Sequence, residues 1–180
     1  DVSPSAVALT EFLLPDPVSF QLPRKYKIAF SGCSEDCIGA AVNDLGFIAQ
    51  PGEGGPGYAV YAGGGLGPHA RVGQLLEAFV PVDQAHLVAE AVKRVFDKHG
   101  NRKNKQRARL RYLVEEKGFD AFRALYRDEL ARLRKESPAA PTLRPITPRL
   151  EGQRLDGVPP AEGFDSWRRS DVTEQKQPGY

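Results

Sequence analysis

The order of two hydrophobic periodicities along the chain constrains its fold more than any other feature of the sequence. Apolar residues alternate over 25–31, 45–49 and 58–62, which predicts three short strands. The segment PGEGGPG at 51–57 separates the last two strands, and its glycines permit the positive φ angles of a tight turn. The sequence therefore predicts a hairpin with a glycine-rich tip in the first half of the chain.

The following residues carry helical periodicity instead. Apolar residues spaced by three and four predict helices over 72–80, 83–100, about 105–117 and 120–135. Strands followed by a run of helices favour separate layers of sheet and helix over a doubly wound sheet. We therefore predict an α+β fold in which four helices pack on a small mixed or antiparallel sheet, flanked by Pro-rich extensions.

Proline content marks the borders of this compact region. Residues 1–22 are predicted to be a connector, 23–136 the domain and 137–162 a linker. The sequence has no apolar run of 18 residues and no signal-peptide pattern, so we expect no membrane span. Because the chain starts at Asp1 without Met, we expect it to be a piece of a longer protein.

The net charge is only +2, but the positive charge is concentrated in one stretch. No acidic residue lies between Asp97 and Glu115, where seven basic residues fall: Lys98, Arg102, Lys103, Lys105, Arg107, Arg109 and Arg111. On the predicted helix Arg107 and Arg111 share a face. The stretch predicts an anionic partner. Nucleic acid competes with a smaller ligand here, although Tyr112 is the only aromatic residue nearby for base stacking.

Lys25 and Lys27 form a second concentration of positive charge. Residues at positions i and i+2 of a strand share a face and lie about 7 Å apart, so the two ammonium groups repel each other. Either the face is solvated, or an anion lies between the lysines and one of them supplies a proton. Arg24 adds a planar donor that suits a carboxylate. The residues alone leave both interpretations open.

Two further motifs are weaker. The turn AGGGLG at 62–67 allows the backbone to approach a flat or anionic ligand, but it is neither G-x-G-x-x-G nor a Walker motif, and a plain loop explains it equally well.

Cys33 and Cys37 form a C-x3-C pair, which offers two thiolates where a zinc or iron–sulfur site needs four ligands. The three histidines, His69, His86 and His99, show no ligand spacing to one another. Small residues that pack a tight turn are the simpler interpretation of the pair. Two cysteines so close together do not form a secreted disulfide framework, which favours a reducing, cytoplasmic setting.

Taken together, the motifs resemble one family. The segments LPRKYKIAFSGC, NDLGFIA, GGGLG and HGNRKNKQRARLRYLVEEKGFDAFR occur in this order. The series resembles the ferredoxin-dependent sulfite and nitrite reductases, and more narrowly the first of the two duplicated domains in that family. The resemblance covers about residues 22–135. The tail 163–180 is similar to the start of the second repeat.

The resemblance implies that the whole protein transfers six electrons to sulfite or nitrite on the iron of siroheme, whose ring bears carboxylates. Lys25 and Lys27 match the lysines that bind the substrate anion and help to supply protons. The resemblance implies cofactor contacts for a further set: Arg24, Gly63, Gly64, Gly65, Asn101, Arg102 and Arg109. It also implies ferredoxin or another electron donor, and the remaining half of the parent chain, as partners.

The sequence departs from the family at the cysteines. The family holds a four-iron four-sulfur cluster with a C-x5-C and a C-x3-C supplied by the second repeat. Cys33 and Cys37 lie at the symmetric place in the first repeat, so we interpret them as a relic of duplication, with metal ligation as the alternative. The isolated piece is then expected to be inactive. Two other functions stay open: a non-catalytic anion- or nucleic-acid-binding module, and a structural duplicate without a site.

Overall fold

The computed structural model describes residues 1–136, 139–142 and 162–171. The chain divides into two units, Asp1–Ile146 and Thr147–Tyr180. The second unit contributes one described helix, α5 (Phe164–Asp171), in which the rings of Phe164 and Trp167 lie 5.7 Å apart. Most of the predicted linker and of the predicted second-repeat start lies outside the described residues.

The first unit contains a sheet of four strands in the order β1 (Ile28–Ser31), β2 (Leu45–Gly52), β3 (Gly55–Ala62) and β4 (Gln74–Pro81). The first two strands pair in parallel, and the other pairs are antiparallel. The turn of the β2–β3 hairpin follows the pair Gly52–Gly55, where Gly55 has a φ of 115°. The predicted hairpin and the predicted mixed sheet are confirmed.

Strand β4 corrects the sequence prediction, because residues 72–80 were expected to form a helix. The two buried apolar side chains of this strand, Leu76 and Val80, are four residues apart. A spacing of four fits one face of a helix and also one face of a strand, so periodicity alone does not distinguish them. Pairing with β3 decides the outcome, and a register shift between Tyr58 and Val60 accommodates it.

Four helices of the first unit cover this sheet: α1 (Ser3–Leu13), α2 (Ala85–His99), α3 (Leu110–Lys117) and α4 (Phe119–Glu136). Helix α2 is central, and its Val92, Val95 and Phe96 are fully buried. Helix α4 packs against it through an apolar face that includes Phe122 and Leu133. The α+β prediction is confirmed, with α1 taking the place of the helix that was expected over 72–80.

The predicted third helix is shorter than expected. Residues Lys105–Arg107 form a separate 3₁₀ turn, and the α-helix begins only at Leu110. The break lies at Ala108 and Arg109. The backbone of Arg109 is extended, and its guanidinium group reaches back to Asp44 beside the sheet. Gly118, with a φ of 80°, ends the helix as predicted.

Residues 1–22 pack on the domain through both apolar and ionic contacts. Ala8 and Leu9 of α1 are buried in the common core. Asp16 then caps a 3₁₀ turn over Pro17–Phe20 and forms an ion pair with Lys93 of α2. Lys93 is only 1% exposed and pairs also with Glu90 at 2.7 Å, so two carboxylates balance its buried charge.

Candidate functional site

A cationic cleft lies where the residues before β1, the loop after β3 and the loop before α3 meet. Its volume is about 630 Å³. The lining residues are Arg24, Lys25, Pro68, His69, Asn104, Lys105, Gln106, Arg107, Arg109, Arg111 and Tyr112. Six of the lining residues are Lys or Arg, and none of the described residues that line the cleft is Asp or Glu. Such a concentration of one charge favours an anionic ligand.

Lys25 and Lys27 lie just before β1, which begins at Ile28 and not at residue 25 as predicted. The reason is that the Lys27 N–H donates to the side chain of Asp44, at 2.8 Å, and not to a neighbouring strand. Arg24, Lys25 and Lys27 are exposed, and their side chains form no hydrogen bond or ion pair with the residues that the structure describes. Their charges are therefore available to a ligand, although only Arg24 and Lys25 line the cleft and Lys27 does not.

The structure brings the two sides of this region together through Asp44, a residue that the sequence analysis missed. Asp44 is fully buried and accepts hydrogen bonds from Arg109 Nε at 3.0 Å and from Arg109 Nη2 at 2.7 Å. Its backbone carbonyl accepts from the Gly63 N–H at 2.9 Å. One residue thus connects Lys27, Arg109 and the glycine turn.

Burial raises the pKa of Asp44, while the hydrogen bonds from Arg109 and from the Lys27 N–H oppose the increase. The sequence signal for this residue is an acid immediately before an apolar strand, in NDLGFIA. That signal does not indicate a partner, because Arg109 is 65 residues away along the chain.

The three predicted cofactor glycines are buried, and the protein itself requires their small size. A Cβ atom on Gly64 would lie 2.3 Å from the Ala41 carbonyl oxygen, and one on Gly65 would lie 2.9 Å from Arg111 Nη1. Gly63 has a φ of 82°, which an L side chain rarely adopts. None of the three lines the cleft directly. Their predicted role towards a macrocycle stays a prediction.

Asn101 and Arg102 hold the loop that carries Asn104 and Lys105 to the cleft. Asn101 Oδ1 accepts hydrogen bonds from two backbone N–H groups, those of residues 103 and 104, both at 2.9 Å. Arg102 donates to the carbonyl of Gln21 at 2.7 Å and forms an ion pair with Asp97 at 2.6 Å. Both side chains therefore position the loop, and a direct contact with a cofactor stays a prediction.

Arg107 and Arg111 lie against the ring of Tyr112, at 4.9 and 4.8 Å from its centroid. Arg111 also donates to the backbone carbonyls of Leu66 and Pro68, at 3.2 and 2.9 Å. Its Nε is buried without a hydrogen-bond partner among the described residues. Arg107 forms only a long ion pair with Glu115, at 3.7 Å. Hydrogen bonds therefore fix Arg111 at the edge of the cleft, whereas Arg107 is held there only by the Tyr112 ring and the long ion pair.

A neighbouring cleft of about 580 Å³ shares Arg24 and Lys25 but is lined mainly by apolar side chains such as Leu13, Phe20 and Leu22. It is therefore less suited to an anion. Cys33 and Cys37 lie outside both clefts, in the loop after β1. Among the described residues, no group of three or more His, Cys, Asp or Glu side chains has the arrangement of a metal site.

The donor set of the cationic cleft fits the carboxylates of a siroheme. Four cations with free charges or only a long ion pair (Arg24, Lys25, Lys105 and Arg107) line it, and the buried Arg111 Nε lacks a partner there among the described residues. Such groups are suited to carboxylate oxygens. None of the described helices is long and apolar enough to span a membrane.

Comparison with known proteins gives the same assignment. Residues 1–133 match the family described as the nitrite and sulphite reductase 4Fe-4S domain. A sulfite reductase [ferredoxin] of Mycolicibacterium paratuberculosis is 34% identical over 142 residues, which are 78% of this chain and 25% of the relative. A ferredoxin–nitrite reductase of Synechococcus elongatus is 37% identical over 105 residues, covering 57% of this chain and 20% of the relative.

A solved structure of the Mycobacterium tuberculosis NirA protein superposes with a TM-score of 0.57 at 31% identity, covering 77% of this chain and 26% of that protein. The chain thus spans about a quarter of the length of these relatives. The predicted resemblance is confirmed, and siroheme and a four-iron four-sulfur cluster are the cofactors of the family. From its sequence and its fold alike, the chain belongs to the nitrite and sulphite reductase family.

Proposed function

We propose that the chain forms part of a reductase that converts sulfite to sulfide, or nitrite to ammonia, with six electrons. Within it, this chain supplies the lysines that bind the substrate anion and part of the siroheme cradle. The observation that carries the proposal is the acid-free lining of the cleft, with the free charges of Arg24 and Lys25. Relatives that are named as sulfite or nitrite reductases support it.

In the proposed site, Lys25 and Lys27 have two roles. Their ammonium groups attract the substrate anion and hold its oxygens by charge-assisted hydrogen bonds. Each oxygen that leaves as water takes two protons, and a lysine Nζ is a donor that solvent can recharge because both side chains are exposed. Siroheme, when bound, supplies the iron at which the anion is reduced and the route for electrons from the cluster.

The arginines have a binding role in this proposal. Arg24, Arg107 and Arg111 would pair with ring carboxylates at the edge of the cleft. Arg109 donates hydrogen bonds from Nε and Nη2 to Asp44, so Nη1 is the nitrogen that remains for a ring carboxylate. Ferredoxin is the proposed electron donor because it appears in the names of the relatives. The cluster is assigned to the part of the protein outside this chain.

The nucleic-acid alternative gains no support from the geometry. Single-stranded nucleic acid needs aromatic faces on which bases stack. Tyr112 is the aromatic residue of the cleft, and two guanidinium groups already lie over its ring. The free charges of Arg24 and Lys25 lie beside a concave cleft and not along an extended stripe.

The proposal is tested on the protein that carries this chain, by substituting Lys25 and Lys27 with alanine, singly and together. We expect turnover of sulfite or nitrite with a reduced viologen dye to fall by about 100-fold or more for Lys27→Ala, because a proton donor and an anion contact are lost together. Siroheme absorbance per protein should stay unchanged. Lys103→Ala is the matched control, since Lys103 is an exposed cation on the separate loop 101–104 and not on the segment before β1 that carries Lys25 and Lys27.

Two results would contradict the proposal. A colourless, siroheme-free protein that still turns over would exclude the cofactor. Turnover near that of the unmodified protein in the Lys25→Ala/Lys27→Ala double variant would exclude the assigned role of the lysines. In a separate measurement, Arg24→Ala should lower siroheme occupancy, and an unchanged absorbance would remove Arg24 from the cradle.

A further inference from the structure

The two cysteines of the chain, which the proposed reductase site does not use, lie unusually close to each other. The Sγ atoms of Cys33 and Cys37 are 2.9 Å apart, and both are free thiols. A disulfide needs an Sγ–Sγ distance of about 2.05 Å, so bond formation requires the two atoms to approach by less than about 1 Å. Cys37 is exposed and Cys33 is half-buried, so a small reagent can reach the pair.

The two thiols have different surroundings. The Cys37 N–H points at Cys33 Sγ at 3.5 Å, and Ser31 Oγ lies 3.9 Å from the same sulfur. The contact with the Cys37 thiol and the hydrogen bond from the Cys37 N–H lower the pKa of Cys33. The same thiol contact and the Cys33 charge raise the pKa of Cys37. A pair with one thiolate-stabilising position and one protonated neighbour is the usual arrangement of an attacking and a resolving cysteine.

The turn between the cysteines also suits reversible closure. The Asp36 N–H donates to the Cys33 carbonyl at 3.2 Å, and Asp36 has a φ of 50°. The Asp36 carboxylate accepts from the N–H groups of Ala40 and Ala41, at 2.6 and 2.9 Å. The turn is thus fixed from both sides by its own hydrogen bonds, which keep the two sulfurs close together.

We propose that Cys33 and Cys37 form a redox-active dithiol that a low-molecular-weight disulfide such as oxidised glutathione reversibly oxidises. The Cys33 thiolate attacks one sulfur of the reagent, a mixed disulfide forms and one glutathione thiolate leaves. Cys37 loses its proton and attacks Cys33 Sγ, which closes the protein disulfide and releases the second glutathione. Two protein thiols lose two electrons, and one glutathione disulfide becomes two thiols. The inference is independent of the proposed reductase activity.

The test uses the protein that carries this chain. Both cysteines can be followed in one tryptic peptide, 28–71, because this segment contains no internal Lys or Arg. After equilibration with oxidised glutathione in excess, rapid acid quenching and alkylation, this peptide should carry no alkyl group and weigh two hydrogens less than the reduced peptide. Dithiothreitol should restore two alkylation sites. A peptide that keeps both thiols, or that carries two glutathiones, would overturn the proposal.

Single variants test the order of attack. Both single variants leave a serine hydroxyl beside the remaining sulfur, but Cys37→Ser also keeps the N–H of residue 37, which points at Cys33 Sγ at 3.5 Å. We therefore expect Cys37→Ser to capture glutathione at least about threefold faster than Cys33→Ser at pH 7. The lower pKa of the Cys33 thiol raises its thiolate fraction by more than it lowers the nucleophilicity of the thiolate. Equal rates, or a faster reaction of Cys33→Ser, would overturn the assignment of Cys33 as the attacking thiol. The double serine variant is the control that shows no change in the 28–71 peptide.

Discussion

Removing the carboxylate of Asp44 should destabilise the first unit strongly, and more than removing the carboxylate of Asp16 or Asp128. Asp44 is 0% exposed, and it satisfies two N–H groups of Arg109 and the backbone N–H of Lys27. In Asp44→Ala all three donors lose their acceptor, and the Arg109 charge stays largely buried. Leaving one partner of a buried ion pair in this way costs about 3–5 kcal/mol.

The structure places the expected cost at the lower end of that range. The Arg109 side chain keeps 14% of its surface exposed and lines the cleft, so water can solvate part of its charge after the substitution. We therefore expect the free energy of unfolding to fall by about 3 kcal/mol. For a chain of this size the melting temperature should drop by about 6–12 °C. Urea unfolding followed by circular dichroism, with thermal melts beside it, measures both quantities.

Two comparisons make this prediction specific. Asp128→Ala is the matched control, because Asp128 is exposed on α4 and its loss should change the free energy of unfolding by no more than about 0.5 kcal/mol. The double variant Asp44→Ala/Arg109→Ala should be less destabilised than the sum of the single variants by about 1–3 kcal/mol, since it leaves neither charge unpaired. An Asp44→Ala protein within about 0.5 kcal/mol of the original would refute the assignment of a buried pair.

Three further predictions concern other parts of the fold. His86 is buried, and desolvation lowers its pKa. The free energy of unfolding should therefore fall as the pH drops below about 6.5, where the histidine of the unfolded chain takes up a proton. Urea unfolding at pH 7.5 and 5.5 should show this loss in the original protein and not in His86→Phe. The hydrogen bond from Lys93 lowers the pKa of Asp16, so this contribution is present above about pH 3.8 and disappears as the pH falls through the lowered value. Asp16→Asn should accordingly cost about 1 kcal/mol at pH 7, a modest amount because Asp16 is partly exposed, and progressively less as the pH falls through the lowered pKa; a cost that stays the same as the pH falls would be inconsistent with this mechanism. Gly64→Ala should cost about 1–3 kcal/mol because its Cβ would meet a backbone carbonyl at 2.3 Å, whereas Gly54→Ala, with open space around it, should be close to neutral in the same thermal melts.

The parts of the fold that could be predicted from sequence are those in which local pattern and tertiary contact agree. The β2–β3 hairpin was predictable because alternating residues flank a glycine turn on both sides. Strand β4 was not, since its buried Leu76 and Val80 satisfy both periods and only the free edge of β3 selects the strand. Helix α1 was missed because its fully buried contact with the core rests on Ala8 and Leu9, which is too few positions for a clear apolar stripe.

The candidate site shows the same division. The order of family motifs grouped Arg24, Lys25, Lys27 and Arg109, and the structure places all of these except Lys27 at one cleft, while their roles stay predictions. Asp44 was not predictable, because its function depends on a partner that lies 65 residues away. Arg111 was noted only as a charge in a basic stretch, although it is 5% exposed and bound to two carbonyls of the loop after β3. Long-range hydrogen bonds of this kind leave no periodic trace in a sequence.

The distribution of ion pairs supports the proposal that the cleft is a binding site and not a solvated surface. The chain contains 25 Lys and Arg residues against 23 acids, so acidic partners are available for most cations. On the helical side of the molecule they are used: Lys93, Arg94 and Lys98 each contact at least one carboxylate. At the cleft, Arg109 is the cation whose charge Asp44 balances, and no described acid lines the wall. Unpaired like charges in a concave site repel one another, so this arrangement costs stability, and the anion that we propose as the ligand would offset that cost.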